Sequence, residues 1–204
     1  GAEPWKIKSV SEMPSITPAF VSENEKDWKA YNRDEDKLNR KWAIPGMKGF
    51  EHRIGGLEKQ EVTGNVSYDP SNHETMVKLR AEKVARVAEY IPEVEVEGSK
   101  NAELLVVGWG GTYGGLHTAI AAMQTEGLSV AHAHFNYINP LPKNTAQLFA
   151  KYKKIVVCEL NNGQFVKLLR SELPQFDYLQ YNKIQGLPFS KGELVAEFKK
   201  LIEA

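Results

Sequence analysis

The chain has 204 residues, of which 42% are hydrophobic and 25% are charged, so it can build one substantial core with additional length. Basic and acidic side chains balance at 26 each, and therefore neither nucleic acid nor a membrane is an expected partner. No apolar run approaches the roughly 20 residues that cross a bilayer, and the N-terminus lacks the pattern of a signal peptide. A lone cysteine, Cys158, cannot form an internal disulfide, which favours a reducing, cytoplasmic location.

Residues 1–70 are predicted to form an irregular arm, the connection from a preceding domain that is missing here. Prolines at positions 4, 14, 18 and 45 interrupt the arm, and its charged stretch 22–41 shows almost no apolar periodicity. The arm carries three of the four tryptophans, which are Trp5, Trp28 and Trp42. Because such large side chains usually pack against something, the arm is expected either to wrap its own domain or to pack on sequence outside this chain.

Residues 71–204 are predicted to form a regular domain that begins with a helix. Ser71 and Glu74 fit a capping box, and the helix is expected to stop before Pro92. The predicted buried face of this helix consists of Met76, Val84, Val87, Ala88 and Ile91.

Strands and helices then alternate along the chain. Apolar runs at 104–107, 130–135 and 155–160 predict buried strands, and the alternation over 178–184 predicts a fourth strand with a more exposed face. Four helices are predicted between and after these strands. The first ends in a left-handed cap at Gly127, and the second spans about 145–152. The third buries Phe165, Val166, Leu169 and Leu173, and the fourth begins with a capping box of Ser190 and Glu193. The last of these helices is predicted to bury Leu194, Val195, Phe198, Leu201 and Ile202.

This alternation predicts an α/β fold of three layers, αβα, around a mainly parallel sheet of four or five strands. In such sheets, ligands and partners approach the carboxyl ends of the strands. The loops predicted at that edge are rich in small and amide residues, which suit close backbone approach and hydrogen bonding. The interface candidates are Gly110, Gly111, Thr112, Tyr113, Asn136, Asn139, Glu159, Asn161 and Asn162.

The glycine-dense turn 108–115 does not match a dinucleotide fingerprint. Starting from Gly108 and Gly110, the third glycine of a G-x-G-x-x-G pattern falls on Tyr113. The next strand ends in His134, Phe135 and Asn136, where an acidic residue for the ribose is expected. The favoured interpretation is a structural turn whose glycines allow close packing of strand and helix, and an anion at the helix start remains the alternative.

The other chemically active residues carry weak signals. His132 and His134 share one strand face and could offer two metal nitrogens, but no third ligand has a fixed spacing to them. Glu159 is the best acid at the carboxyl edge, and its favoured interpretation is capping of the following turn or pairing with a lysine, with catalysis as the alternative. Cys158 is interpreted as a small buried strand residue, since no CxxC motif suggests redox or metal chemistry.

Three stretches together closely resemble one known family. They are LLVVGWGGTYGGLHTAI (104–120), HFNYINPLPKN (134–144) and KIVVCELNNGQF (154–165). They resemble the C-terminal domain of the alpha chain of 2-oxoacid:ferredoxin oxidoreductases, especially the 2-oxoglutarate type. The resemblance continues through 183–190, and 49–84 is similar to the segment that precedes this domain in the same chains.

The resemblance implies a domain similar to the transketolase C-terminal domain. The family converts a 2-oxoacid and coenzyme A to an acyl-CoA and carbon dioxide with thiamine diphosphate, and passes electrons to ferredoxin through iron-sulfur clusters. The thiamine diphosphate and oxoacid contacts come mostly from the preceding domain and the beta chain. The resemblance therefore implies no catalytic, cofactor or metal residue in this chain, and thiamine diphosphate, Mg and an iron-sulfur cluster only in the parent complex.

Three functional hypotheses follow from these observations. The first is a non-catalytic structural and interface domain of a 2-oxoglutarate:ferredoxin oxidoreductase alpha subunit, whose partners are the rest of that subunit and the beta subunit, with ferredoxin and CoA engaged through the complex. The second is a free-standing, Rossmann-like domain that binds a nucleotide or CoA phosphate at the helix start after Gly111. The third is a domain whose arm recruits a different protein. Pyruvate and branched-chain oxoacids remain alternative substrates of the parent.

Overall fold

A computed structural model describes residues 7–204, which fall into two compact units. The first is the N-terminal unit, Ile7–Tyr90, and the second is the αβ unit, which begins at Ile91 and ends at Ala204. The division after Tyr90 differs from the predicted boundary at residue 70. Trp5, one of the three arm tryptophans, lies outside the described residues.

The N-terminal unit is mostly irregular, as the prolines and charges of its sequence predict. A short 3₁₀ helix spans Val10–Glu12, and isolated bridges pair Phe20 with Trp42, Arg33 with Arg40, and Lys59 with Val66. Its regular element is the helix α1, Pro70–Ala85, which continues as a 3₁₀ turn over Arg86–Glu89. The buried side chains of this unit are few, namely Val21, Ala30, Leu38, Lys59 and Met76.

Helix α1 begins differently from the prediction. The carboxylate of Asp69 accepts hydrogen bonds from the backbone N–H groups of Ser71 (2.7 Å) and Asn72 (3.1 Å), and Pro70 occupies the first helical position. The predicted capping box of Ser71 and Glu74 is therefore wrong, because the acid two residues earlier takes the capping role.

The predicted buried face of α1 is also largely wrong. Met76 is the buried residue of the helix, whereas Val84 and Val87 are 46% and 43% exposed. The helix is instead attached to the arm by polar contacts. The Asn72 side chain forms hydrogen bonds with the backbone of Lys59 and Glu61. Three further attachments join side chains of the helix and its 3₁₀ extension to the arm: Met76 to Arg33, His73 to Glu58, and Arg86 to the carbonyls of Glu35 and Asp36. These contacts explain why the unit boundary follows α1.

The αβ unit is built on a five-stranded sheet with the order β1-β3-β2-β4-β5. Its strands are β1 Val96–Gly98, β2 Leu104–Trp109, β3 Val130–Phe135, β4 Lys154–Glu159 and β5 Tyr178–Asn182. Strands β2 to β5 all run parallel to one another, and β1 runs antiparallel to its one neighbour, β3. The prediction of a mainly parallel sheet is confirmed, with β1 as an additional edge strand.

Helices cover both faces of this sheet, so the predicted three-layer fold is confirmed. They are α2 Tyr113–Thr125, α3 Thr145–Phe149, α4 Gln164–Glu172 and α5 Lys191–Glu203. One core joins Leu105 and Val107 of β2 to α3 and α4, and the other joins Leu104 and Val106 to α2 and α5. The continuous apolar run 104–107 thus fills both cores, because successive strand residues point to opposite faces.

Details of the helices differ modestly from the predictions. Helix α3 ends at Phe149, earlier than the predicted 152, and Val195, Leu201 and Ile202 of α5 are only partly buried. The capping box of α5 is present, since Ser190 Oγ accepts from Glu193 N (3.3 Å) and the Glu193 carboxylate accepts from Ser190 N (2.9 Å). Gly127 follows α2 with φ of 80°, the predicted left-handed cap.

Candidate functional site

The carboxyl edge of the sheet consists of the loops that follow β2, β3, β4 and β5. Parallel pairing sets the last residues of these strands side by side, Trp109 beside Phe135 and Glu159 beside Asn182. The indole N–H of Trp109 donates to Glu159 Oε1 at 3.2 Å and so ties the ends of β2 and β4 together. The predicted candidates are therefore carried by neighbouring strand ends.

The candidates divide by their exposure to solvent. The exposed ones are Gly110, Gly111, Asn136, Asn139 and Asn162, the half-buried ones are Tyr113 and Asn161, and the buried ones are Thr112 and Glu159. Exposed residues can meet a partner directly, whereas the buried ones act within the fold. The candidate surface is thus smaller than the sequence predicted.

Glu159 is an internal anchor and not a contact residue. Its side chain is fully buried, and its two oxygens accept from the backbone N–H groups of Phe165 (2.8 Å) and Val166 (3.1 Å) at the start of α4. A carboxylate at a helix N-terminus satisfies N–H groups that have no partner within the helix and interacts favourably with the helix dipole. The sequence interpretation of Glu159 as a capping acid fits this geometry, and its place among the interface candidates does not.

The segment 108–115, which runs from the end of β2 into the start of α2, has two kinds of glycine. A side chain at Gly108 would come within 2.3 Å of Leu116 Cδ1, and one at Gly115 would come within 3.0 Å of the Phe189 carbonyl. Gly110 and Gly111 have no atom within 4 Å of the position that a Cβ would take, and Gly110 has φ of 56°. Close packing against neighbouring atoms explains the glycines at 108 and 115, whereas Gly111 borders open space at the carboxyl edge.

Polar side chains hold these loops in place. Thr112 Oγ1 accepts from the Trp109 N–H at 3.1 Å and donates to the Trp109 carbonyl at 2.9 Å, which locks the turn. Asn161 Oδ1 accepts from the Gln164 N–H at 2.9 Å and caps the first turn of α4. The carboxyl edge therefore presents a fixed backbone to whatever covers it.

A cluster around Tyr113 brings together residues that the sequence analysis treated separately. The Glu97 carboxylate accepts from Tyr113 Oη at 2.9 Å and approaches Nδ1 of His117 at 2.7 Å and Nδ1 of His132 at 3.4 Å. The Tyr113 ring stacks on His117 and His132, with centroids 5.3 and 5.8 Å apart, and meets His134 edge-on at 5.1 Å. We call these five residues the Tyr113 cluster.

Burial controls the protonation of this cluster. It lowers the pKa of His132 to about 4, although the Glu97 carboxylate acts in the opposite direction. His132 is therefore neutral near pH 7, and a proton on Nδ1 lets it donate to Glu97. The pKa of Glu97 lies below its usual range, because hydrogen bonds from His117, Tyr113 and His132 together outweigh the opposing effect of burial, which is the largest single contribution.

Glu97 is the member of this cluster that the sequence analysis missed. It lies on β1, which pairs Glu97 with His132 of β3. The signal was present in the segment 93–97, where glutamate and valine alternate with the period of a strand. The segment is short and Gly98 follows it directly, so its pattern alone does not predict a strand.

A groove of about 410 Å³ adjoins the Tyr113 cluster at the carboxyl edge. Its lining includes three glutamates, Glu93, Glu95 and Glu97, together with Tyr113 and Asn136 from the predicted candidates. Such a groove can accept cationic or hydrogen-bonding groups of a partner. Within residues 7–204, no group of three or more histidine, cysteine or acidic side chains is arranged to hold a metal ion.

Neither the one cysteine nor the helices of the described residues add a further kind of site. Cys158 is fully buried in β4, and burial raises the pKa of its thiol, with Glu159 and Glu197 adding to the effect. The thiol is therefore not set up as a nucleophile or a ligand. Among the helices that the structure describes, none is both long enough and apolar enough to span a membrane.

Comparisons with known proteins agree on one group of enzymes. The chain is 40% identical over 195 residues to the 2-oxoglutarate oxidoreductase subunit KorA of Mycobacterium tuberculosis, covering 95% of this chain and 29% of that one. It is 28% identical over 199 residues to the alpha subunit of 2-oxoacid:ferredoxin oxidoreductase 1 of Aeropyrum pernix, covering 94% and 30%. No protein-family model matches the chain.

A solved structure supports the same relationship. The 2-oxoglutarate:ferredoxin oxidoreductase of Magnetococcus marinus, solved with 2-oxoglutarate, coenzyme A and succinyl-CoA bound, matches with a TM-score of 0.81 and 31% identity, over 90% of this chain and 32% of that one. The chain thus spans about 30% of the length of the relatives that it matches. Over the part that it spans, this chain belongs to the family of 2-oxoacid:ferredoxin oxidoreductase alpha subunits.

Proposed function

We propose that this chain is the C-terminal part of the alpha subunit of a 2-oxoglutarate:ferredoxin oxidoreductase and serves it as a non-catalytic structural and interface domain. The observation that carries the proposal is 40% identity to a 2-oxoglutarate oxidoreductase subunit along nearly the whole chain. The complete enzyme would convert 2-oxoglutarate, CoA and oxidised ferredoxin to succinyl-CoA, carbon dioxide and reduced ferredoxin. Its setting would be the cytoplasm, which a lone reduced cysteine suits.

The residues of this chain do not fit the cofactors that such an enzyme uses. An iron-sulfur cluster takes cysteine thiolates, and the one cysteine is fully buried with its pKa raised by burial. A metal diphosphate needs oxygen ligands around its metal ion, and within residues 7–204 no group of three or more histidine, cysteine or acidic side chains is arranged to hold one, while Glu159 is committed to α4. Thiamine diphosphate, Mg and the cluster therefore belong, in this proposal, to the remainder of the alpha subunit and to the beta subunit.

The carboxyl edge is the surface that we assign to those partners. It offers exposed backbone at Gly110 and Gly111 on a loop fixed by Thr112, and an exposed amide at Asn162 on a loop fixed by Asn161. The loop after β3 adds the exposed amides of Asn136 and Asn139. A rigid, hydrogen-bonding surface loses little entropy when a partner covers it. The neighbouring groove with its three glutamates adds a place for basic groups of the same partner.

Bulk added at the carboxyl edge tests this assignment. Gly111 is exposed, and a Cβ added there would have no atom within 4 Å, so a chain with Gly111→Trp should fold normally. In the complete alpha subunit, this change should weaken assembly with the beta subunit or lower CoA-dependent ferredoxin reduction by at least about tenfold, as expected for a clash in a packed interface. Size-exclusion chromatography and the activity assay measure the two effects.

The matched control adds the same bulk at the opposite edge. Ala150→Trp changes an exposed residue just after α3, on the side where the strands begin. Assembly and activity should remain unchanged in this variant. If Gly111→Trp assembled and turned over like the unmodified enzyme, the carboxyl edge would not be the interface, whereas loss of activity in both variants would point to a general effect of added bulk and also count against the assignment.

A further inference from the structure

The N-terminal unit contains a basic cavity of about 520 Å³ that the proposed function does not use. Five cations line it, Arg33, Arg40, Lys59, Arg80 and Lys83, against one lining carboxylate, Glu58. The cations are graded by depth, since Lys59 is buried, Arg33 and Arg40 are half-buried, and Arg80 and Lys83 are exposed. This arrangement gives the cavity a positive floor and a positive rim.

The single lining carboxylate does not neutralise this charge. Glu58 is shared between His73, whose Nδ1 lies 2.6 Å from Oε2, and Arg80, whose guanidinium lies 3.4 Å from Oε1. Lys59 and the two deeper arginines donate to backbone carbonyls, which carry no formal charge. Burial lowers the pKa of Arg33, and repulsion by the positive charge of Arg40 adds to the effect, whereas Tyr31 and Glu61 oppose it. An anion bound among them would relieve this repulsion.

A second cavity, of about 430 Å³, adjoins the first. Tyr31, Arg40 and Gly55 line both cavities. The second is walled by flat side chains, Phe20, Trp28, Tyr31, Trp42 and His52, and no described aspartate or glutamate lines it. Arg40 stands between the two with its guanidinium 4.1 Å from the centre of the Tyr31 ring. We call this second space the aromatic cavity.

We propose that the two cavities together bind a nucleotide, with its phosphates in the basic cavity and its base in the aromatic cavity. Arginine and lysine groups recognise phosphate oxygens through charge-assisted hydrogen bonds, and aromatic side chains stack on bases. The two requirements of a nucleotide are thus met side by side within one unit. This site lies within the N-terminal unit and does not depend on the proposed function.

Calorimetric titration of the full 204-residue chain with four probes tests the site. ADP and tripolyphosphate should both bind saturably, and adenosine should bind weakly or not at all. ADP should bind about tenfold more tightly than inorganic pyrophosphate, because the stacked base adds to the phosphate contacts. Binding of none of these phosphates, or equal affinity for ADP and pyrophosphate, would overturn the proposal.

Substitutions on α1 separate a built site from general surface charge. Lys83→Gln combined with Arg80→Gln removes two rim cations and should weaken ADP and pyrophosphate alike, by about tenfold. Lys78→Gln is the matched control, since Lys78 is exposed on the same helix, pairs with Glu74 and does not line the cavity. An equal loss of affinity in the control would overturn the proposal in favour of nonspecific attraction.

The aromatic half has its own test. Trp42→Ala removes a side chain that is 65% exposed, so the fold should tolerate the change. ADP should then bind no better than pyrophosphate, while pyrophosphate itself should bind as before.

A polyglutamate peptide tests the alternative occupant of the basic cavity. If this peptide binds and ADP does not, the proposal is overturned and the basic cavity is a docking site for an acidic protein segment.

Discussion

At the residue scale, Glu159 shows how a polar group at a functional edge can serve the fold alone. Both carboxylate oxygens are committed to N–H groups, from the backbone of Phe165 and Val166 and from the Trp109 indole. A buried carboxylate with this many donors stabilises the start of α4, and removing its charge leaves donors facing a poor acceptor.

We therefore predict that Glu159→Gln lowers the free energy of unfolding by about 2–4 kcal/mol, because the new amide turns N–H groups toward the N–H donors of α4. Urea denaturation of the 204-residue chain measures this change. Glu103→Gln is the control, since Glu103 is exposed just before β2 and its loss should alter the free energy by less than about 0.5 kcal/mol. Equal effects of the two substitutions would contradict the anchoring role.

His132 makes a second residue-level prediction, which concerns pH. Burial lowers its pKa from 6.5 to about 4 in the folded chain, so the unfolded chain takes up a proton first as the pH falls. The contribution of His132 to stability is therefore fully present above about pH 6.5 and is lost as the pH falls toward about 4. The other titratable groups facing it are Glu97, His117 and His134.

We expect His132→Phe to unfold with a shallower acid dependence than the unmodified chain. Across this pH window, the unmodified chain should lose about 2–3 kcal/mol more than the variant, as a pKa difference of this size implies. Urea denaturation at pH values on either side of the window measures the difference. His52→Phe, at an exposed loop position, should keep the original slope, and an unaltered slope in His132→Phe would disprove the assignment.

At the scale of elements, the sequence predicts the four strands β2 to β5 but not the short edge strand β1. The run 104–107 and the strand Val130–Phe135 are predicted because residues buried on both faces must be apolar throughout. Strand β1 has only three residues, and its role depends on pairing with β3, which no local pattern specifies. The Tyr113 cluster was missed for the same reason, since Glu97 reaches it from β1.

Helix α1 illustrates the opposite error, in which a plausible local pattern gives the wrong context. Its valines have helical spacing but lie exposed, and its attachments run through Asn72, His73 and Arg86 to irregular segments. Polar contacts between residues far apart in sequence leave no periodic signature. The sequence therefore predicts a domain boundary before α1, whereas the compact units divide after Tyr90.

This boundary leads to a prediction about truncated chains. A chain of residues 91–204 keeps both cores of the αβ unit and should unfold cooperatively by itself. A chain of residues 71–204 adds most of α1 without its partners in the arm, and its free energy of unfolding should be the same within about 0.5 kcal/mol. Circular dichroism during urea denaturation compares the two. A longer chain that is clearly more stable would place α1 with the αβ unit after all.

At the scale of the whole molecule, the chain spans about 30% of its relatives, so surfaces exposed here are candidates for contact with the remainder. A proposed interface must be distinguished from surface that stays in water. The αβ unit allows that comparison internally, because its carboxyl and amino edges both consist of short loops between the same strands.

We predict that hydrogen exchange at the carboxyl edge slows when this sequence is part of the complete alpha and beta assembly. Backbone amides in 110–113, 136–139 and 161–163 should gain protection relative to the isolated chain, because a covering partner excludes water and restrains local opening. Amides of the amino edge, in 126–129 and 150–153, are the internal reference and should exchange equally in both states. Protection confined to the amino edge would reverse the proposed orientation of the domain, and equal exchange everywhere would mean that neither edge is an interface.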